Sequence, residues 1–226
     1  MNVTQAIDKV IQRSDNIKGN PADYADRRLR LLDSLQEVFE EVYWLRDWVW
    51  RRKRATVTVL AADESASVPS DFQSFGESGG VWSLLASGGD GFQLDLVTES
   101  EIFEDREKNR RTNTPRKFAL FGQDSITYLT QIQIQPHDQD VPLAVWYQPN
   151  PPTLDEAGNV EALNLIPAKY HQRVLIPGLK MASRESKSDE GWKNMKAEFE
   201  AGKRWMMVEE KRFQGRKRQL PSFFAR

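Results

Sequence analysis

Leu31, Leu35, Val38, Val42, Leu45 and Val49 recur at alternating steps of four and three, and Leu32, Phe39 and Tyr43 widen the stripe. That spacing predicts an amphipathic helix from Pro21 to Arg52, with Asn20 as its cap and Arg51, Arg52, Lys53 and Arg54 at the end favoured by the helix dipole. Before it, Val3, Ile7, Val10 and Ile11 predict a shorter helix that stops at Lys18-Gly19-Asn20.

The pattern changes at Thr56-Val57-Thr58-Val59 and stays strand-like to about Tyr147, punctuated by Pro69-Ser70-Asp71, Gly79-Gly80, Gly88-Gly89-Asp90-Gly91 and Gly122-Gln123-Asp124. Segments 118–121, 126–129, 132–134 and 143–147 read as successive antiparallel strands, which a small sandwich or barrel would close. The charged segment from Glu99 to Arg116 reads as a helical turn or a long exposed loop.

Helical spacing returns after Ile166-Pro167, through Tyr170, Val174 and Leu175, with Pro177-Gly178 expected to kink or interrupt it. A last helix from near Ser188-Asp189 places Trp192, Met195, Phe199, Gly202, Met206, Glu209 and Phe213 at steps of three and four. The expected fold class is α+β. An antiparallel bundle of the terminal helices (1–54 and 164–213) carries an inserted β domain (55–152), a linker loop (153–163) and a C-terminal tail (214–226). Trp44, Trp48, Trp192, Phe199 and Trp205 are expected at bundle or subunit contacts.

The chain has 226 residues, 39% of them hydrophobic, and 32 Lys and Arg against 33 Asp and Glu, a formal charge of -1. A balance so near zero argues against a protein whose main task is holding nucleic acid. The absence of cysteine removes disulfides, thiolate nucleophiles and sulfur-ligated metals. No apolar run is long enough for a membrane span, and the polar N-terminus lacks a signal core, so a soluble protein without a membrane partner is expected.

The search for chemistry returns little. His137 and His171 are the only histidines, and they stand in unrelated contexts. The glycine-rich stretches lack the Lys-Ser/Thr of a phosphate loop, and no Gly-x-Ser-x-Gly elbow occurs. The carboxylates of Glu99, Glu101, Glu104, Asp105 and Glu107 interleave with cations as a solvated face does. No catalytic residue, metal ligand or cofactor is assigned. The tail from Gln214 to Arg226 has no acid, several cations and three large apolar residues. It reads as a solvated terminus, a nucleic-acid arm or a docking peptide, and Phe223-Phe224 after Pro221 favours docking.

The order of several short segments resembles the head-to-tail adaptor (connector) proteins of tailed bacteriophages, including the tail tubular protein A type. The segments are Arg28 to Trp50 before Val57-Thr58-Val59, Val68-Pro69-Ser70-Asp71-Phe72, Thr114-Pro115-Arg116-Lys117-Phe118-Ala119-Leu120, Ile134-Gln135-Pro136, Val145-Trp146-Tyr147, Pro151-Pro152-Thr153-Leu154, Ile166-Pro167-Ala168-Lys169-Tyr170-His171, and Phe199-Glu200 with Met206-Met207. Val68 where leucine is usual, Pro177 and the long Glu99 to Arg116 segment depart from that pattern.

The resemblance implies a non-enzymatic virion protein of the neck, assembled in the host cytoplasm. It would form a homo-oligomeric ring, usually of twelve subunits, between the portal protein and a tail, nozzle or tail-terminator protein. Double-stranded DNA would pass through its channel without specific binding. The resemblance further implies that the tail docks on the portal through Phe213, Arg216, Lys217, Arg218, Leu220, Phe223, Phe224 and Arg226. The alternative is a DNA-binding or DNA-packaging accessory that uses the same basic tail.

Overall fold

The computed structural model describes residues 1–14, 21–61, 65–77, 79–108, 110–112, 114–123, 129–158, 161–183 and 190–218, with side chains for all of these but 12–14, 21–23, 123 and 213–218. The expected turn at 18–20, the strand residues 126–128 and the helix start at 188–189 lie outside the described residues. The fold is α+β and divides into two compact units, Met1–Trp50 with Pro151–Arg226, and Arg51–Asn150.

In the helical unit, α1 (Val3–Ser14) and α2 (Pro21–Trp44) bury the stripes read from the sequence. Val3, Ile7, Val10, Leu31, Leu35, Val38 and Val42 all lie in one apolar cluster with Tyr170, Leu175, Leu179, Phe199 and Met206. Arg28 pins the entrance to α2. Its guanidinium donates to Asp8 of α1 at 2.6 Å, to the Tyr24 hydroxyl at 2.9 Å and to the Glu156 carboxylate.

The helix expected to reach Arg52 stops at Trp44. The cations 51–54 therefore do not sit on its last turn. The cause is Trp48: its indole Nε1 donates to the Val42 carbonyl at 2.8 Å, and the ring is wholly buried, so the chain folds back after α2. Lys53 and Arg54 instead open a strand.

The second helical region answers Pro177 with a π-helical turn. After a 3-10 turn (Ala162–Leu165), α4 (Ala168–Tyr170) passes into π-helical His171–Leu175 and then α5 (Ile176–Ala182). The Ile176 N–H reaches back five residues to the His171 carbonyl, which places Pro177 in the first turn of α5, where its missing N–H costs no helical bond. A Cβ on Gly178 would come within 2.6 Å of Val38 and 2.9 Å of Phe199, so its lack of a side chain lets α5 pack against both α2 and α6 (Glu190–Arg218).

The β unit contains two sheets. In the first, β9 (Val141–Pro149) pairs antiparallel with β1 (Lys53–Val59) and β4 (Gly80–Leu84); β5 (Asp90–Gln93) extends β4, and β3 (Phe72–Ser74) pairs with the end of β9. In the second the order is β2 (Ser65–Ser67), β8 (Thr130–Ile134), β7 (Lys117–Gln123), β6 (Asp95–Leu96), antiparallel except for the parallel β6–β7 pair. Val59, Val81, Leu143 and Val145 of the first sheet share a core with Phe118, Ile132 and Ile134 of the second.

The Gly88 turn joins β4 to β5 with a backbone φ of 79°, a conformation that favours glycine. The charged segment resolves into α3 (Glu99–Glu107), which packs on β7 and β8 with Ile102 and Asp105 buried three residues apart.

Candidate interface surfaces

Residues of the adaptor-like segments meet in the β unit. Asp71, from Val68-Pro69-Ser70-Asp71-Phe72, accepts the Tyr147 hydroxyl at 2.7 Å and the Lys53 ammonium at 2.6 Å, while its carbonyl accepts the Asn150 N–H at 2.7 Å. Burial alone would raise the Asp71 carboxyl, but the bonds from Lys53 and Tyr147 outweigh it and hold the group below its ordinary range. Phe72 and Tyr147 lie 5.7 Å apart, Phe72 and Phe75 5.2 Å, and Phe75 and Phe118 5.5 Å. This aromatic series links three of the resembling segments and is a fastener of the fold.

On the first sheet, Arg54 and Trp146 are cross-strand partners and converge on Asp90 of the β4–β5 hairpin. Trp146 Nε1 donates to the carboxylate at 2.6 Å and Arg54 Nε at 2.9 Å. On the second sheet, Asp105 is the buried anchor of α3. The Gln135 amide donates to it at 3.0 Å, and Lys117 and Arg110 lie 3.4 and 3.5 Å away. The Gln135 bond is the largest reason that its carboxyl sits below the ordinary range, with Lys117 and Arg110 adding to it against the cost of burial. Asp105 is thus a structural carboxylate.

His137 belongs to the β unit and His171 to the helical unit. His171 is buried and its Nε2 faces the carbonyls of Leu163 at 3.0 Å and Ile166 at 2.6 Å, which fits an Nε2–H donor shared between them. Burial pushes its pKa down. His137 is also buried, with Nδ1 3.1 Å from the Gln135 carbonyl. Among the described residues, no group of three His, Cys, Asp or Glu is placed to hold a metal ion.

Of the aromatic residues expected at contacts, Trp48 and Phe199 are buried within the helical unit, Trp192 and Trp205 are half-buried, and Trp44 is exposed at the end of α2. Trp205 packs edge-on against Tyr170 at 5.4 Å and beneath the Arg173 guanidinium at 4.6 Å. Two charged side chains that the hydrophobic pattern does not single out complete the interior of α6. The Tyr170 hydroxyl donates to buried Glu210 at 2.9 Å, and buried Lys203 pairs with Glu200 at 2.7 Å and with Glu41 of α2. Their only signal in the sequence is position: Lys203 falls four residues after Phe199 and Glu210 four after Met206, on the apolar seam.

The expected tail is corrected at its start. Gln214 to Arg218 continue α6 as helix rather than lying beyond it. Gly215 alone does not stop a helix whose end is rich in cations favoured by the dipole, and the first strong breaker is Pro221. Arg216, Lys217 and Arg218 are therefore on the helix, as is Phe213, while Leu220, Phe223, Phe224 and Arg226 lie outside the described residues.

Among the described residues no helix is long and apolar enough to cross a membrane. The family model for the SU10 adaptor protein matches residues 1–219, and the chain belongs to that family of phage adaptors. Membership implies a structural, non-enzymatic role in the virion. A comparison with curated proteins finds no match.

Proposed function

We propose that this adaptor closes into a head-to-tail ring between the portal and the tail of a phage particle, in the manner of the tail tubular protein A type, with twelve copies surrounding the path of the DNA. The family match across 1–219 is the observation that carries the reading. A head-to-tail contact joins one patch of each subunit to a different patch of the next, and closure leaves no free end. A net charge of -1 suits a wall that DNA passes without being retained.

The C-terminal segment from Phe213 is the portal-docking element. α6 has 29 residues, a rod of about 43 Å at 1.5 Å per residue. Its last turns include Arg216, Lys217 and Arg218 in sequence, and Leu220, Phe223 and Phe224 follow in an acid-free stretch. Aromatic and arginine side chains supply most of the binding energy at protein interfaces, and repetition around a ring multiplies weak contacts.

Negative-stain microscopy and sedimentation of the purified protein, alone and mixed with portal rings, test the reading. Rings in either sample support it, and Phe223→Ala with Phe224→Ala should then abolish portal capture. A monomer that ignores the portal overturns it. If it also shifts duplex DNA, and Arg216→Ser, Lys217→Ser and Arg218→Ser together remove the shift, the basic tail is a DNA arm.

A further inference from the structure

The outer faces of α2 and α6 carry opposite charge. On α6, Lys193, Ala197, Ala201, Arg204, Val208 and Lys211 follow one another at steps of four and three, and all six are exposed. Lys196 and Arg212 flank them, and Glu190 and Glu198 are the exposed acids of the helix among the described residues. The other acids of α6 are engaged: half-exposed Glu200 with Lys203, half-exposed Glu209 with Lys169, and buried Glu210 with the Tyr170 hydroxyl. Among the described residues Lys193, Arg204, Lys211 and Arg212 have no ion-pair or hydrogen-bond partner.

On α2, Asp26, Arg30, Asp33 and Glu37 follow the same steps and are exposed; Glu41 and Trp44 continue the steps, with the Glu41 carboxylate already engaged by Lys203 of the same chain. Asp26, Asp33 and Glu37 are likewise without partners among the described residues. Each face also carries apolar surface that a purely solvated helix would not need: Leu29 is 61% exposed and Trp44 42% on the α2 side, and Val208 is 48% exposed on the α6 side. The inward faces of both helices pack on α5, meeting around Gly178, so the outer faces point away from a common centre.

We infer that the cationic outer face of α6 in one subunit docks on the acidic outer face of α2 in a second copy of this chain, and that this pairing is the repeating contact of the proposed ring. The inference rests on that ring reading and names its interface. Two different patches of one chain, complementary in charge, generate the heterologous contact a ring requires. The pairing of Lys203 with Glu41 within the chain already shows an α6 cation meeting an α2 acid. Small Ala197 and Ala201 along the cationic stripe suit the approach of another helix, whereas among the described residues the stripe carries no exposed aromatic ring on which bases could stack.

The test uses two full-length variants whose altered side chains are all exposed. One carries Lys193→Glu, Arg204→Glu and Lys211→Glu on α6; the other carries Asp33→Lys and Glu37→Lys on α2. Circular dichroism checks that each is folded, and ring formation is read by sedimentation and microscopy, with and without portal rings. Each variant alone should associate at least about tenfold more weakly than the native chain. An equimolar mixture should recover rings, because alternation makes every α6–α2 contact complementary again.

Rings from either variant as readily as from the native chain would overturn the inference while leaving the ring reading intact. So would loss in both variants without recovery on mixing. An α6 variant that forms rings but no longer retains duplex DNA would assign the cationic face to nucleic acid instead. A native chain that forms no ring in any sample would remove the ring reading and this interface with it.

Discussion

The α-carbon of Gly202 on α6 packs directly against the backbone carbonyl of Arg173: a Cβ at 202 would penetrate that oxygen and come within 3.3 Å of Val174. Arg173 lies four residues before Pro177, which has no N–H to offer its carbonyl. The proline and the glycine, 25 positions apart in the sequence, thus serve one helix–helix contact. Backbone cannot swing aside as a flexible side chain can, so Gly202→Ala should destabilise the protein by about 2–3 kcal/mol. Urea unfolding followed by circular dichroism checks this, and an unchanged midpoint would show that the contact is loose.

Tyr170 and Glu210 form a second such link. Burial is the main reason the Tyr170 pKa is raised, and its bond to the Glu210 carboxylate adds to that shift. Tyr170→Phe strands a buried acid and should cost about 1.5–3 kcal/mol, whereas Tyr170→Phe combined with Glu210→Leu should recover much of the loss. A double-mutant cycle in urea measures the coupling directly.

His171 predicts a pH dependence of stability. Its folded pKa lies below the ordinary 6.5, so the unfolded chain binds its proton more readily. Stability contributed by the neutral, buried ring is full above about pH 6.5 and is lost as pH falls towards the folded pKa. Unfolding at pH 7.5 and pH 5 should show a drop in the native protein that His171→Gln reduces, since glutamine keeps a donor for the Leu163 and Ile166 carbonyls but takes no proton.

Asp105 acts at lower pH. Its carboxyl is held below 3.8 by Gln135 first and then by Lys117 and Arg110, against burial. That stabilisation is present above the unfolded pKa and is lost as pH falls below about 4 through the folded value. Asp105→Asn should weaken the protein at pH 7 by about 1–3 kcal/mol and flatten the acid limb of its stability curve. Hydrogen exchange in α3 should rise in the same variant, because Asp105 and Ile102 are the buried side chains of this helix against its sheet.

Much of the fold is legible in the hydrophobic pattern because burial enforces periodicity. The residues of the 31–42 stripe are buried as their spacing implies, and the unbroken apolar run 143–147 reports a strand placed between two others. Leu45 and Val49 continue the helical spacing but not the helix, since the Trp48 indole bonds back to Val42, a contact that leaves no periodic trace. Pro177-Gly178 reads locally as a break. Only the packing of three helices shows the π-helical turn and the close approach that make the pair compatible with a continuous helical path. In the charged segment, Ile102 and Asp105 sit three apart on the same helical face, but an aspartate facing inward cannot be recognised until its cations and amide partner come from other elements.

The surfaces were less legible for a related reason. A helix's outer charges look like solvation unless the partners of every other charge are known. The pairing of Glu200 with Lys203, of Glu209 with Lys169 and of buried Glu210 with Tyr170 leaves the outer face of α6 cationic, in a chain whose total charge is almost zero.

The central claim is a closed ring of this chain on the portal, and cryo-electron microscopy of the reconstituted portal–adaptor complex tests it most directly. The expected result is one closed ring of identical subunits, with α6 of each against α2 of its neighbour and the C-terminal segment seated on the portal. Isolated subunits bound separately to the portal, with no contact between neighbours, would contradict it.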